Sequence, residues 1–232
     1  MNSQWISVPS VDGRSFDAYL SLPPKEEGPG LVLIQEIWGV NPHIRAVADQ
    51  YAADGFVVIA PDIFWRHEPR LSLRYDAQGS ARGMQLLGEL DVNLAGADLQ
   101  RTVDTLKHHS ACSGPVGSLG FCMGGLLSFV AAARADVDAA VCYYGGGIDQ
   151  HLDLVEDINC PMLLHFAEKD SYISTQAVQS IRKALAGQNL DRIIVHPGVD
   201  HGFNCWERPS WHLETAIRAR GQSLVHLSEM LS

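Results

Sequence analysis

The sequence predicts an α/β fold, with a mostly parallel central sheet and helices on both faces. Three observations predict it. Continuous apolar runs such as Leu31-Val32-Leu33-Ile34 recur, as strands buried on both faces require. Stretches of helical length alternate with them. Turn residues mark the junctions, above all in Gly120-Phe121-Cys122-Met123-Gly124-Gly125, which joins an apolar strand to an apolar helix. A chain of 232 residues suits one domain, residues 1–232, and a domain of that size buries roughly 70–75% of its unfolded surface.

In chain order, residues 4–8 and 14–22 read as a hairpin turning at Asp12-Gly13. Pro23-Pro24 and Gly28-Pro29-Gly30 interrupt the pattern before the Leu31–Ile34 strand, which runs out into Gln35-Glu36-Ile37-Trp38-Gly39. Pro42 marks the first turn of a helix that reaches about Asp54 and stops at Gly55. Phe56 to Ala60 is the next buried strand. Residues 62–80, rich in Arg, His and Pro, read as an irregular excursion over the surface. A helical pattern covers Ala81 to His108, with Gly83, Gly88 and Gly96 as points where it can divide in two. Ser113-Gly114-Pro115 resets the chain for a strand from Val116 to Phe121, and the helix after Cys122 ends near Arg134. Ala139–Tyr144, Met162–Phe166 and Ile193–Val195 complete the strands. One further helix runs from Ser174 to about Ala186, and the last begins near Pro209 or Ser210.

Composition narrows the function classes. A net charge of −10 without a basic cluster excludes nucleic acid and anionic membranes as expected partners. No apolar run reaches membrane-spanning length, and Met1 to Pro9 lacks the marks of a signal peptide. Five cysteines at irregular spacing, with no Cys-x-x-Cys pair, argue against a disulfide framework and a zinc motif and fit a reducing cytoplasm. No metal or organic cofactor is expected, and the chain is expected to be a monomer or a weak homodimer.

In an open α/β sheet, sites form at the carboxyl ends of the strands. Glu36, Cys122, Asp170 and His201 each follow a predicted strand. Glycines two before and two after Cys122 form the frame of a nucleophile elbow, and nucleophile, acid, base is the chain order of a hydrolytic triad. The attacking species of cysteine is the thiolate, which a helix N-terminus favours. Imidazole accepts the thiol proton, and a carboxylate on the other ring nitrogen fixes the tautomer. Glu168 and Asp200 are alternatives to Asp170 as that carboxylate. The backbone N–H of Met123 and one from the loop after the first buried strand, that of Ile37, would hold an oxyanion. Cys112, Cys142, Cys160 and Cys205 read as inert core.

These residues carry a resemblance to the dienelactone hydrolases (carboxymethylenebutenolidases) of the α/β-hydrolase superfamily. It rests on Gln35-Glu36-Ile37-Trp38-Gly39-Val40-Asn41, Ala60-Pro61-Asp62, the cysteine elbow, Tyr143-Tyr144-Gly145 and His201-Gly202-Phe203. The resemblance implies a Cys122, Asp170, His201 triad and a role for Glu36, whose carboxylate holds the resting thiol through a hydrogen bond until substrate displaces it. It implies a small ester or lactone as substrate. Two departures stand out. Cys205 occupies the place of an arginine that pairs with the substrate carboxylate, with Gly202 where serine is usual. Ser80 occupies the place of a second arginine, with Arg82 nearby. Arg66, Arg74 and Arg82 are the candidates to compensate. Trp38, Phe64, Trp65, Arg82, Met84, Phe203 and Cys205 are the expected pocket residues.

The leading expectation is therefore a hydrolase of small activated esters or lactones that works through an acyl-thioester. Two alternatives are a thiol redox or sensor protein pairing Cys122 with Cys205, and an inactive binding protein on the same scaffold.

Overall fold

The computed structural model describes residues 2–187 and 191–232, with Asp191 by its backbone alone. Among the described residues, eight strands form one sheet: β1 (Asn2–Pro9), β2 (Ser15–Leu22), β3 (Gly28–Ile34), β4 (Val57–Pro61), β5 (Cys112–Phe121), β6 (Ala139–Tyr143), β7 (Met162–Ala167) and β8 (Asp191–His196). They lie in the order β1-β2-β4-β3-β5-β6-β7-β8. The β1–β2 hairpin is antiparallel, with Pro9 opposite Ser15, and β2 is antiparallel to β4. The remaining neighbours are parallel. Every residue of β4, β6 and β7 is buried, which explains why the parallel strands read as unbroken apolar runs. The architecture is the α/β-hydrolase fold that the sequence predicts.

Among the described residues, six α-helices flank the sheet: α1 (Pro42–Ala53), α2 (Ala77–Glu89), α3 (Val92–Lys107), α4 (Met123–Arg134), α5 (Thr175–Leu185) and α6 (Leu213–Met230). Side chains alternate across a strand, so Gly30, opposite Val116, and Gly117 mark opposite faces. A side chain at Gly30 would meet Leu106 of α3, and one at Gly117 would meet Leu227 of α6 and Leu231. Helices α3 and α4 pack on the first face. On the second, α1 is tied to α6 by an Arg220–Asp54 ion pair and by the Arg220 guanidinium over Tyr51. Among the described residues, no helix is long and apolar enough to cross a membrane.

Several local readings change, and β3 already begins at Gly28, so Gly28-Pro29-Gly30 belong to the strand rather than interrupt the pattern before it. The strand before Cys122 begins at Cys112, so Ser113-Gly114-Pro115 extend it rather than reset it. The long helical pattern divides not at a glycine but at Leu90, which is extended, and Asp91, whose side chain caps α3 by accepting the Asn93 and Leu94 N–H groups. Helix α2 starts at Ala77, under an Asp76 cap, so residues 77–80 are helical. The segment before it is no surface excursion. Ile63, Phe64, Trp65 and Leu71 are buried, the Asp62 carboxylate accepts the Phe64 and Arg70 N–H groups, and Ser72 bridges to Gly39. Helix α6 starts at Leu213, four residues past Pro209. Residues 202–212 instead form a loop that folds back on itself, held by the His212 N–H donating to the Phe203 carbonyl, and His212 caps the helix.

Candidate active site

Strand β5 feeds directly into α4, with Cys122 as the residue between them. Its backbone sits at φ 56°, ψ −116°, in the positive-φ range that side chains rarely adopt. The glycine frame makes the turn possible. A Cβ on Gly120 would collide with the Gly124 carbonyl, and one on Gly124 with the Ile34 carbonyl. The Cys122 N–H donates to Tyr143 O at 3.0 Å, and its carbonyl accepts from Gly125 and Leu126 at the start of α4. The half-buried thiol is thereby pushed to the tip, over the helix N-terminus. Gly124→Ala is expected to destabilise the fold by at least about 2 kcal/mol through overpacking against backbone that cannot yield, read as a lower denaturation midpoint in urea.

His201 and Asp170 arrive from the loops after β8 and β7. Their side chains are 4% and 0% exposed, and His201 Nδ1 lies 2.9 Å from Asp170 Oδ2. The other Asp170 oxygen accepts the Tyr172 and Ile173 N–H groups, which fixes the carboxylate. Neither alternative acid meets the ring. Glu168 accepts the Gly198 N–H, and Asp200 accepts the N–H groups of Ser171 and His201. Burial works against a charged His201. Hydrogen bonds to Asp170 and to the Cys122 thiol, and the charges of both, outweigh it and raise the ring to about 9. Tyr144 packs against the ring in a tilted arrangement, 4.9 Å between centroids.

Glu36 is 1% exposed and does not engage the thiol. Its two oxygens accept from Arg208 Nη1 and from the Tyr75 hydroxyl, each at 3.0 Å. The thiol hydrogen-bonds His201 instead. The physical reason is Arg208: a guanidinium is a stronger partner for a buried carboxylate than a neutral thiol is. Arg208 was not among the residues expected from the sequence. It lies over the Trp38 ring, 5.1 Å from its centroid. The signal that could have found it is Gly202. A Cβ there would collide with the Arg208 guanidinium. The glycine in place of the usual serine therefore opens the space that an arginine from further along the loop fills.

A cavity of about 370 Å³ brings these groups together. Cys122, His201, Ile37, Met123 and Arg208 line it, as do Trp38, Tyr75, Ser80 and Met84. The N–H groups of Met123 and Ile37 have no acceptor among the described residues.

The other expected pocket residues lie elsewhere. Phe64 is core. Trp65 stacks on Phe16 and donates to Asp98. Arg82 is on the outer face of α2 with Glu68 and Gln85. Phe203 packs on Tyr144 and His196. Cys205 is 1% exposed, its thiol pushed up by burial and by Glu36, so it lacks the thiolate character a resolving thiol needs. Arg66 is bound to Asp98 and Asp12, and Arg74 lines a different cavity.

Comparison with known proteins bears on the family and the fold. Residues 16–230 match the model of the dienelactone hydrolase family. A carboxymethylenebutenolidase by assignment from Azospirillum brasilense is 34% identical over 233 residues, spanning 97% of this chain and 98% of its own. The carboxymethylenebutenolidase of Pseudomonas sp. strain P51 is 30% identical over 99% of this chain and 97% of its own. A crystal structure of a Klebsiella pneumoniae protein, assigned as a dienelactone hydrolase, superposes with a TM-score of 0.86 at 28% identity, covering 97% of this chain and 98% of that one.

Proposed function

This chain belongs to the dienelactone hydrolase family and is an ester or lactone hydrolase, and we propose that Cys122 is its nucleophile and that small activated esters or lactones are cleaved through an acyl-thioester. One observation carries the reading. At the tip of a strained elbow, a thiol meets a histidine whose other ring nitrogen is held by a buried aspartate.

The geometry supports the following steps. His201 takes the Cys122 proton, and the thiolate, favoured by the α4 N-terminus, attacks the substrate carbonyl carbon. The carbonyl electron pair moves to oxygen, where the Met123 and Ile37 N–H groups receive it. The tetrahedral intermediate collapses, the C–O bond to the leaving group breaks, and the imidazolium returns its proton to that oxygen. Asp170 keeps Nδ1 protonated throughout and stabilises the imidazolium. Neutral His201 then takes a proton from water, whose oxygen attacks the thioester carbon. The acid leaves, and the proton returns to Cys122. An enolate, as a lactone of this type releases, is a good leaving group and suits a thiolate nucleophile.

Arg208 gives the cavity a preference. Its guanidinium carries five donors, of which Glu36 takes one. A substrate carboxylate in this cavity is the natural partner for the rest, in competition with Glu36. Arg208→Gln is expected to raise KM for a carboxylated lactone by about 10- to 100-fold, the worth of one charged hydrogen-bond set. KM for neutral 4-nitrophenyl acetate is expected to change little. Equal effects on both substrates would remove the carboxylate preference.

The reading is tested by rapid acid quench after mixing enzyme with 4-nitrophenyl acetate. An acetyl group on the peptide that contains Cys122 is the expected result. Turnover with the acyl group on any other residue would overturn it.

A further inference from the structure

No metal-ligand spacing exists in the sequence, yet folding brings Glu36, His43 and Cys205 together from three segments. Glu36 leaves β3, His43 sits in the first turn of α1, and Cys205 lies in the loop after His201. One donor atom from each lies within 4.8 Å of the others, and all three residues are buried. We propose that these three side chains form a site for a thiophilic divalent cation of the zinc type, separate from the Cys122–His201 pair.

Thiolate, imidazole and carboxylate together are a zinc donor set, whereas hard cations such as Mg²⁺ and Ca²⁺ take oxygen. Bonds of about 2.0–2.3 Å place tetrahedral ligand atoms roughly 3.5 Å apart, so the cluster closes on an ion by about 1 Å, within reach of side-chain torsions. Each donor has capacity to spare. His43 is 5% exposed, and its Nδ1 has no hydrogen-bond partner among the described residues, a costly state for a buried polar atom. Edge contacts with Trp206 at 4.0 Å and Tyr75 at 5.9 Å fix its ring. Glu36 accepts one hydrogen bond each from Arg208 and Tyr75, and a carboxylate has about four acceptor positions. Cys205 is protonated at rest. A coordinating ion displaces that proton to solvent, one per ion bound, as the sulfur–metal bond forms. A second cavity of about 750 Å³, lined by His43, Tyr75, Trp206 and Glu207 but not by Cys122, reaches the cluster from the His43 side.

Occupancy would bear on catalysis, because Tyr75 lines both cavities and Glu36 faces Arg208. Zinc is therefore expected to slow ester turnover. That part rests on the function proposed above; the binding does not.

The test uses the metal-free 232-residue chain, titrated with Zn²⁺ against a chromogenic chelator and with Co²⁺ by absorption. One bound equivalent and a near-ultraviolet thiolate-to-cobalt band are expected. Both persist in Cys122→Ser and are lost in Cys205→Ser, and His43→Asn weakens binding at least about tenfold, the order expected for loss of a ligand or its support. Circular dichroism reports the fold of each variant, and His43→Asn, which leaves every cysteine in place, decides the matter if Cys205→Ser does not fold. Absence of a bound equivalent overturns the site. So does a cobalt band that survives in a folded Cys205→Ser protein or disappears with Cys122→Ser. Stoichiometric, Cys205-dependent binding with unchanged turnover leaves the site and overturns its coupling to catalysis.

Discussion

Cys122→Ala is expected to lower kcat/KM for 4-nitrophenyl acetate by about 10⁴-fold or more, the scale on which loss of a nucleophile acts. The remaining machinery is left in place. His201 stays on Asp170, the Met123 and Ile37 N–H groups keep their positions, and Arg208 keeps its pair with Glu36. Residual activity should therefore reflect binding and oxyanion stabilisation alone. Stability should change by less than about 1 kcal/mol, because the half-buried thiol fills little core volume. Equilibrium denaturation of the variant checks that the loss is chemical. Activity within a few-fold of the wild type would exclude the thioester route.

Asp170→Asn should cost nearly as much, about 10⁴-fold in kcat, because an amide in place of the carboxylate favours the wrong imidazole tautomer and removes the partner of the imidazolium. It also has a signature in stability. Burial opposes a charged His201, but Asp170, first among the groups that favour it, helps raise the ring to about 9 from its ordinary value near 6.5. A group raised on folding stabilises fully below its unfolded value and loses that contribution as pH rises through its folded value. The wild type should thus be more stable than Asp170→Asn near pH 6, and the difference should shrink between about 6.5 and 9. Urea midpoints of both proteins across that range measure it. A gap that widened as pH rose would contradict the assigned pair.

How far the site was legible depended on distance along the chain. The elbow is local: Gly120, Cys122 and Gly124 fall within five residues, and their backbone conflicts are written in the glycines themselves. The order of Cys122, Asp170 and His201 was legible because strand ends converge on one edge of a parallel sheet. The choice of Asp170 over Glu168 and Asp200 needed the loop conformations, in which the other two spend their oxygens on backbone N–H groups. Phe64 and Trp65 were misplaced for a related reason. An aromatic residue in an irregular segment has no period to say which way it points, and here both face the core.

Arg208 shows the limit most plainly. Spacing from His201 put Cys205 in the arginine's place, and nothing along the sequence says that a loop folding back before α6 returns a guanidinium to Glu36, 172 positions away. The same loop carries Cys205 to His43 and Glu36. By itself the sequence determined the sheet, the elbow and the kinds of groups at the strand ends, because apolar runs, turn glycines and strand order are short-range properties. Only the tertiary structure decided which cation faces the thiol's cavity and what Glu36 holds. Those contacts join segments with no shared period, and burial selects among their possible partners only once the chain has closed around them.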